Sequence, residues 1–201
     1  RGVLFSVPLP GTFNLYNCLA ALALGEALGL KTDDMKRALE HMPVIPGRAE
    51  PIESGQPFAV VVDYAHTPDS LRALFETYKN KNIVCVFGAT GGGRDAWKRV
   101  EMGKAVDEYC GSAIITNDSP YDENPQKIAE AVAVGFTKHT PLIILDRRMA
   151  IAAALKSAKE GDAVLICGMG TDPYIMGARG KKEPWSDAQV AKEELAKLGY
   201  N

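Results

Sequence analysis

Hydrophobic positions change period several times along the chain. Val3-Leu4-Phe5 and Val7, ahead of Pro8-Leu9-Pro10, form a short strand-like run. After Gly11-Thr12, the apolar residues Leu15, Leu19, Leu22 and Ala23 fall at helical spacing and predict a helix that fades near Gly29. Thr32 is placed to cap a second short helix running to His41. Pro43, Pro46 and Gly47 then break the pattern, and a domain boundary is expected near residues 43–47.

From there short apolar runs alternate with helical segments. Phe58 to Val62, Ile83 to Phe87, Ala113 to Thr116, Leu142 to Leu145 and Ala163 to Cys167 read as buried strands. Thr67-Pro68 is an N-cap followed by proline, opening a helix to about Lys79. Further helices are expected from Asp95 to Tyr109, after Asn124-Pro125, from the cap Asp146 to about Ala158, and after Ser186-Asp187-Ala188-Gln189. Strand, helix, strand, helix predicts an α/β fold, a Rossmann-like and mainly parallel sheet with flanking helices.

Composition narrows the classes. With 201 residues, 46% of them hydrophobic, the chain can bury a substantial core. A net charge of -2 with dispersed Lys and Arg gives no nucleic-acid or membrane-surface footprint. No apolar run approaches the ~20 residues of a membrane helix. Cys18, Cys85, Cys110 and Cys167 stand far apart, without a CxxC or a neighbouring His, and read as buried thiols in a reducing cytosol. The chain starts at Arg1 without Met and reads as the middle of a longer protein rather than a signal peptide.

In parallel α/β folds ligands bind beyond the carboxyl ends of the strands. Those ends carry Asp63 to His66, Gly88 to Asp95, Thr116 to Tyr121 and Gly168 to Asp172. The glycine loop ahead of a helix suits an anion, yet it lacks the Gly-Lys-Ser/Thr of a P-loop and the spacing of a dinucleotide fingerprint. It reads either as a tight turn or as a site in which Arg94 clamps a carboxylate or phosphate with two bonds. Asp63 at a strand end either accepts ribose hydroxyls or holds a metal-bound water, with His66 toward phosphate, or else Asp63 and Thr67 only cap the turn and helix. Arg48 follows a Pro-Gly break and is either a solvated boundary residue or a ligand cation. Asn14 and Asn17 share one helix face, as caps or as adenine-facing amides. His41 and His139 read as exposed helix-end residues.

Taken in order, these segments resemble the Mur ligase family, closest to its UDP-N-acetylmuramoyl-tripeptide synthetase branch. The matching stretches are Pro10 to Ala21, Pro46 to Glu50, Asp63 to Leu71, Phe87-Gly88 with Gly91 to Asp95 and Lys98-Arg99, and Thr116 to Pro125. The resemblance implies that residues 1–45 are the tail of a central ATP-binding domain and residues 46–201 the amino-acid-binding C-terminal domain. It implies a cytoplasmic, monomeric, ATP- and Mg²⁺-dependent ligase that adds an amino acid to a UDP-muramoyl dipeptide through an acyl phosphate in peptidoglycan synthesis. By the same resemblance Asn14, Asn17, Arg48, Asp63 and His66 would meet ATP. Arg94, Asp118, Ser119, Pro120, Tyr121, Gly168 and Asp172 would meet the incoming amino acid. The family's P-loop and carbamylated lysine are not in this chain, so no catalytic residue and no metal ligand is assigned.

Two departures bear on the substrate. Family members that add meso-diaminopimelate usually carry Asp-Asn-Pro-Arg, where this chain has Asp118-Ser119-Pro120-Tyr121, and Gly-Lys-Gly-His-Glu, where it has Gly168-Met169-Gly170-Thr171-Asp172. Losing the guanidinium disfavours diaminopimelate and points to lysine or another diamino acid, with Asp172 as partner for its amine. The alternatives are a cyanophycin- or folylpolyglutamate-type ligase, and a dinucleotide-binding oxidoreductase domain.

Overall fold

The computed structural model describes residues 3–93 and 95–200. Its contacts divide the chain into two units, one running to Ile45 and the other starting at Pro46. The first unit holds α1 (Thr12–Ala27) and α2 (Thr32–Glu40). They approach closely: a Cβ on Gly25 of α1 would lie 2.5 Å from the sulfur of Met35 in α2. Two expectations are corrected here. Residues 3–8 form no strand, for they find no ladder partner among the described residues. The N-cap of α2 is Lys31, with no side-chain cap, and Thr32 is already helical. The helical period of α1 was read correctly, but Leu15 and Leu19 are more than half exposed.

The second unit contains, in order, β1 (Glu50–Pro51), β2 (Ala59–Asp63), α3 (Pro68–Thr77), β3 (Ile83–Phe87), α4 (Lys98–Tyr109) and β4 (Ser112–Ile115). There follow α5 (Pro125–Ala133), β5 (Leu142–Ile143), α6 (Arg147–Ser157), β6 (Ala163–Cys167), the short β7 (Tyr174–Met176) and β8 (Lys182–Pro184), and α7 (Asp187–Lys197). The main sheet has the order β1-β2-β6-β3-β4-β5; all neighbours run parallel except β1, which is antiparallel to β2. This is the α/β architecture that the alternation predicts.

Side chains of the central strands alternate between two cores. Val61, Cys85, Phe87, Ile115 and Leu165 pack with Leu71, Phe75, Met102, Val106 and Ile128 from α3, α4 and α5. Val60, Val62, Val84, Ile114 and Ile166 pack with Ile151, Leu155, Val190 and Leu195 from α6 and α7. Strands buried on both faces carry continuous β-branched runs for this reason.

The predicted caps form. Thr67 and Ser70 make a reciprocal capping box on α3. Asn124, Asp146 and Ser186 accept the first amides of α5, α6 and α7. In contrast, α4 starts at Lys98 rather than at Asp95, because Asp95 sits at φ 31°, outside the helical region.

One buried carboxylate ties two layers together. Asp107 of α4 accepts bonds from the amides of Thr137 (2.8 Å), Lys138 (2.8 Å) and His139 (2.9 Å), from the Thr137 hydroxyl (3.1 Å) and from His139 Nδ1 (3.0 Å). Burial pushes its carboxyl up, but these donors outweigh burial and hold it well below the ordinary 3.8. The four cysteines are buried free thiols, and no described helix is long and apolar enough to cross a membrane.

Candidate functional site

The loops that leave β2, β3, β4 and β6 surround a cleft of about 420 Å³ at the carboxyl edge of the sheet. Its walls are Tyr64, His66 and Thr67 after β2, Thr90 and Lys98 after β3, Asp118, Ser119 and Tyr121 after β4, and Gly168 and Asp172 after β6.

At the end of β2, the buried Asp63 carboxylate is engaged by backbone. Oδ2 accepts the Ala49 amide at 2.6 Å and Oδ1 the Ala65 amide at 2.8 Å. Burial raises its pKa, and these two amides, Arg48 and His66 pull it back. Asp63 thereby folds the Pro46–Glu50 segment over the strand end. Gly47 is required there: φ is +64°, and a Cβ would lie 2.6 Å from the carbonyl carbon of Gly170. The turn sets the exposed Arg48 guanidinium 4.7 Å above the Tyr64 ring, and Tyr64 meets His66 edge-on, also at 4.7 Å. His66 Nδ1 donates to the Tyr64 carbonyl at 2.7 Å, which fixes the ring and leaves Nε2 outside that bond.

Across the cleft, Asp118 is almost fully buried and accepts the Thr90 hydroxyl at 3.2 Å. Gly168 adopts φ +112°, and a Cβ there would sit 2.8 Å from Asp118 Oδ2. The positive φ is what favours glycine at this position. The Asp172 carboxyl is raised, first by partial burial and second by the negative charge of Asp118, against the opposing effect of His66 and Arg48. Two carboxylates therefore look into one cleft, an arrangement that suits an ammonium group.

The remaining wall is a backbone weave. Ser119 Oγ accepts the Met176 amide at 3.1 Å, and the Tyr121 amide donates to the Met176 carbonyl at 3.0 Å. Tyr121 holds a left-handed φ of 52°. Pro120 is buried behind them, its carbonyl against Gly91, whose amide donates to the Ser119 carbonyl at 2.8 Å. Beyond, Glu123 accepts the Gly93 amide and Arg99, both at 2.8 Å, which hold its carboxyl down.

The structure thus brings His66, Asp118, Ser119, Tyr121, Gly168 and Asp172 to one cleft, with Arg48 connected through Tyr64. Arg94 lies outside the described residues. In the first unit, Asn17 Nδ2 donates to Asn14 Oδ1 at 3.3 Å and Asn14 Nδ2 to the Pro10 carbonyl at 2.7 Å. Both ends of the Asn14 amide are used locally, whereas Asn17 is exposed and its side-chain carbonyl accepts no bond among the described residues. Among the described residues no cluster of His, Cys, Asp and Glu could hold a metal.

Sequence reasoning gave no role to Thr90, Lys98, the β7–β8 hairpin or the buried pair Arg147–Asp187. A signal existed for the last. Arg147 and Arg148 open α6 where the helix dipole disfavours cations, so each needs an acidic partner. Arg147 has Asp187, and Arg148 has Glu193 and Glu194.

Residues 47–170 match the family described as "Mur ligase, glutamate ligase domain". The chain belongs to the Mur ligase family. It is 44% identical over 195 residues to the UDP-N-acetylmuramoyl-L-alanyl-D-glutamate--2,6-diaminopimelate ligase of Aquifex aeolicus, covering 95% of this chain and 40% of that protein. A solved structure of an enzyme of the same name superposes with a TM-score of 0.73 at 31% identity, over 98% of this chain and 41% of the other. The folylpolyglutamate synthase of Mycobacterium tuberculosis gives 0.66 at 24% identity, over 83% and 40%, and shows the fold alone. This Mur ligase chain spans about 40% of the length of such relatives. The matched stretch contains the cleft residues from Tyr64 to Gly168 and stops short of Asp172 and β7–β8. Membership decides against the dinucleotide-binding alternative.

Proposed function

We propose that the chain is the amino-acid-handling C-terminal part of an ATP-dependent ligase that joins an amino acid to UDP-N-acetylmuramoyl-dipeptide in peptidoglycan synthesis. Residues 1–45 belong, in this reading, to the tail of its central ATP-binding domain, and the enzyme is a cytoplasmic monomer. The observation that carries the reading is the cleft itself, in which Asp118, Ser119, Gly168 and Asp172 converge at the strand ends of a Mur ligase domain. The dipeptide carboxylate is activated as an acyl phosphate with ATP as donor. The amino group of the incoming amino acid attacks that carbonyl, and an amide, ADP and phosphate result. Holding the amine in line with the carbonyl is the task of this cleft, and positioning of this kind supplies much of the rate. Arg48, fixed over Tyr64, and His66 offer a cation and an imidazole to the nucleotide; Asp63 acts by building that wall. Mg²⁺ enters as the counter-ion of ATP, and the described residues offer it no ligand cluster.

A protein limited to residues 1–201 is expected to release no phosphate and form no amide when given ATP, UDP-muramoyl dipeptide and an amino acid. It holds no Gly-Lys-Ser/Thr loop. Product detection by mass spectrometry checks this, and ligation by this chain alone overturns the domain assignment.

For the substrate, we propose lysine or another diamino acid without a distal carboxylate. Asp118 and Asp172 suit an amine, and Tyr121 stands where a guanidinium would grip a second carboxylate. Diaminopimelate is the second reading, favoured by the names of the relatives. Amino-acid-dependent phosphate release by the whole enzyme separates them. Tyr121→Arg is expected to improve diaminopimelate use about 10-fold or more, the worth of one charge-assisted clamp. Diaminopimelate as clearly the best substrate of the unmodified enzyme sinks the lysine reading.

A further inference from the structure

We propose that Arg147 is a positioning residue for the amino-acid cleft, its guanidinium setting the spacing between the loop that carries Asp118 and the loop that carries Gly168 and Asp172. This rests on the reading of the cleft given above.

The side chains of Arg147 and Asp187 are both completely buried. Arg147 Nη1 donates to the Asn117 carbonyl at 3.1 Å, and Nη2 to the Cys167 carbonyl at 2.9 Å. Those carbonyls belong to the residues immediately before Asp118 and Gly168. The strands they leave, β4 and β6, are not neighbours; β3 lies between them, and no ladder bond joins them. Two strand spacings are roughly 10 Å. The guanidinium therefore bridges the carboxyl end of β3 and fixes a distance that the sheet alone leaves to its twist.

Its orientation is itself fixed. Nε and Nη2 form a fork on Asp187 at 2.8 and 2.7 Å, and Trp185 Nε1 donates to the same carboxylate at 2.8 Å. Asp187 opens α7, so the last helix anchors the bridge. Arg147 stays protonated despite burial, because Asp187 first and Asp118 second stabilise its charge. The two loops meet at the gap that the bridge sets, where a Cβ on Gly168 would lie 2.8 Å from the Asp118 side-chain oxygen Oδ2. A role limited to fold stability would not require bonds from one guanidinium to the carbonyls of both site loops.

The test uses the whole enzyme with lysine, ATP and UDP-muramoyl dipeptide. Arg147→Lys keeps the charge beside Asp187 and loses the planar fork. The expected result is a KM for lysine raised 10-fold or more, with KM for ATP within twofold and a cooperative melt retained. A folded variant whose KM for lysine stays within twofold overturns the proposal. If Arg147→Lys does not fold, the pair is removed together as Arg147→Met with Asp187→Leu, which leaves no orphan charge, and the same split is read. Failure of both to fold marks the pair as a requirement of the fold alone and also overturns it. No lysine-dependent phosphate release from the unmodified enzyme marks failure of the underlying reading instead.

Discussion

Asp107→Ala is expected to destabilise the second unit by about 3 kcal/mol or more, because five donors lose one buried, charged acceptor together. Residues 137–139 are themselves exposed, so water rescues part of the loss and keeps the figure below the sum of five bonds. For a domain of this size each kcal/mol lowers the melting temperature by roughly 2–4 °C, which makes the shift easy to read. Asp107→Asn should lose about half as much, since one carbonyl oxygen remains. The pH dependence has a definite sign. The folded carboxyl titrates below its unfolded value of 3.8, so its contribution is complete above that value. It is lost as pH falls through 3.8 toward the lower folded value. Urea midpoints of the unmodified and Asn proteins should stay apart above pH 5 and draw together only as pH falls below 3.8. An Asn variant indistinguishable from the parent at pH 7 would contradict this account.

Gly91→Ala is expected to damage substrate handling more than any other single methyl group placed in the site. A Cβ on Gly91 would lie 2.2 Å from the Pro120 carbonyl oxygen and 2.8 Å from its carbon. Both are backbone atoms and cannot swing aside, so the loop carrying Asp118 to Tyr121 must move. Displacements near 1 Å lower rates by about 100-fold, and KM for the amino acid should rise by 10- to 100-fold with a stability loss of about 1–3 kcal/mol. Gly93→Ala is the control. It has φ +72° and nothing within 4 Å of its Cβ, so it should show only a backbone penalty of about 1 kcal/mol. Equal kinetics for the two variants would show that the contact between the loops does not shape the cleft.

The sheet was readable in the sequence because β2, β3 and β6 are buried on both faces and are apolar throughout except for Asp63 at the carboxyl end of β2. The caps Asn124, Asp146 and Ser186 were readable because each acts on amides two or three residues away. Contacts across long separations were not. Arg147 at a helix start signals the need for an acidic partner, but Asp187 stands 40 residues away and looks like an ordinary acid in a first turn, so the partner could not be named. The β7–β8 hairpin has three residues per strand, all hydrophobic in β7 and two of them charged in β8, with Pro173 and Pro184 at its margins. No period can be read from so short an element. In the candidate site, glycine and acid placement pointed to the strand-end loops that line the cleft. Whether Asp63 serves a ligand or the backbone depends on the Ala49 amide, 14 residues earlier, which spacing alone does not reveal.

The sheet order also governs how the chain can be assembled. Strand β6, residues 163–167, is late in the sequence yet sits between β2 and β3. Until it emerges, β2 and β3 have no shared partner, and each exposes an unpaired hydrophobic edge. Synthesis from the amino end therefore carries this unit as an open, association-prone intermediate for about a hundred residues after β2, and closure comes as one late insertion. A truncation anywhere before Ala163 removes the central strand rather than a peripheral one, so what remains is two half-sheets, not a smaller domain.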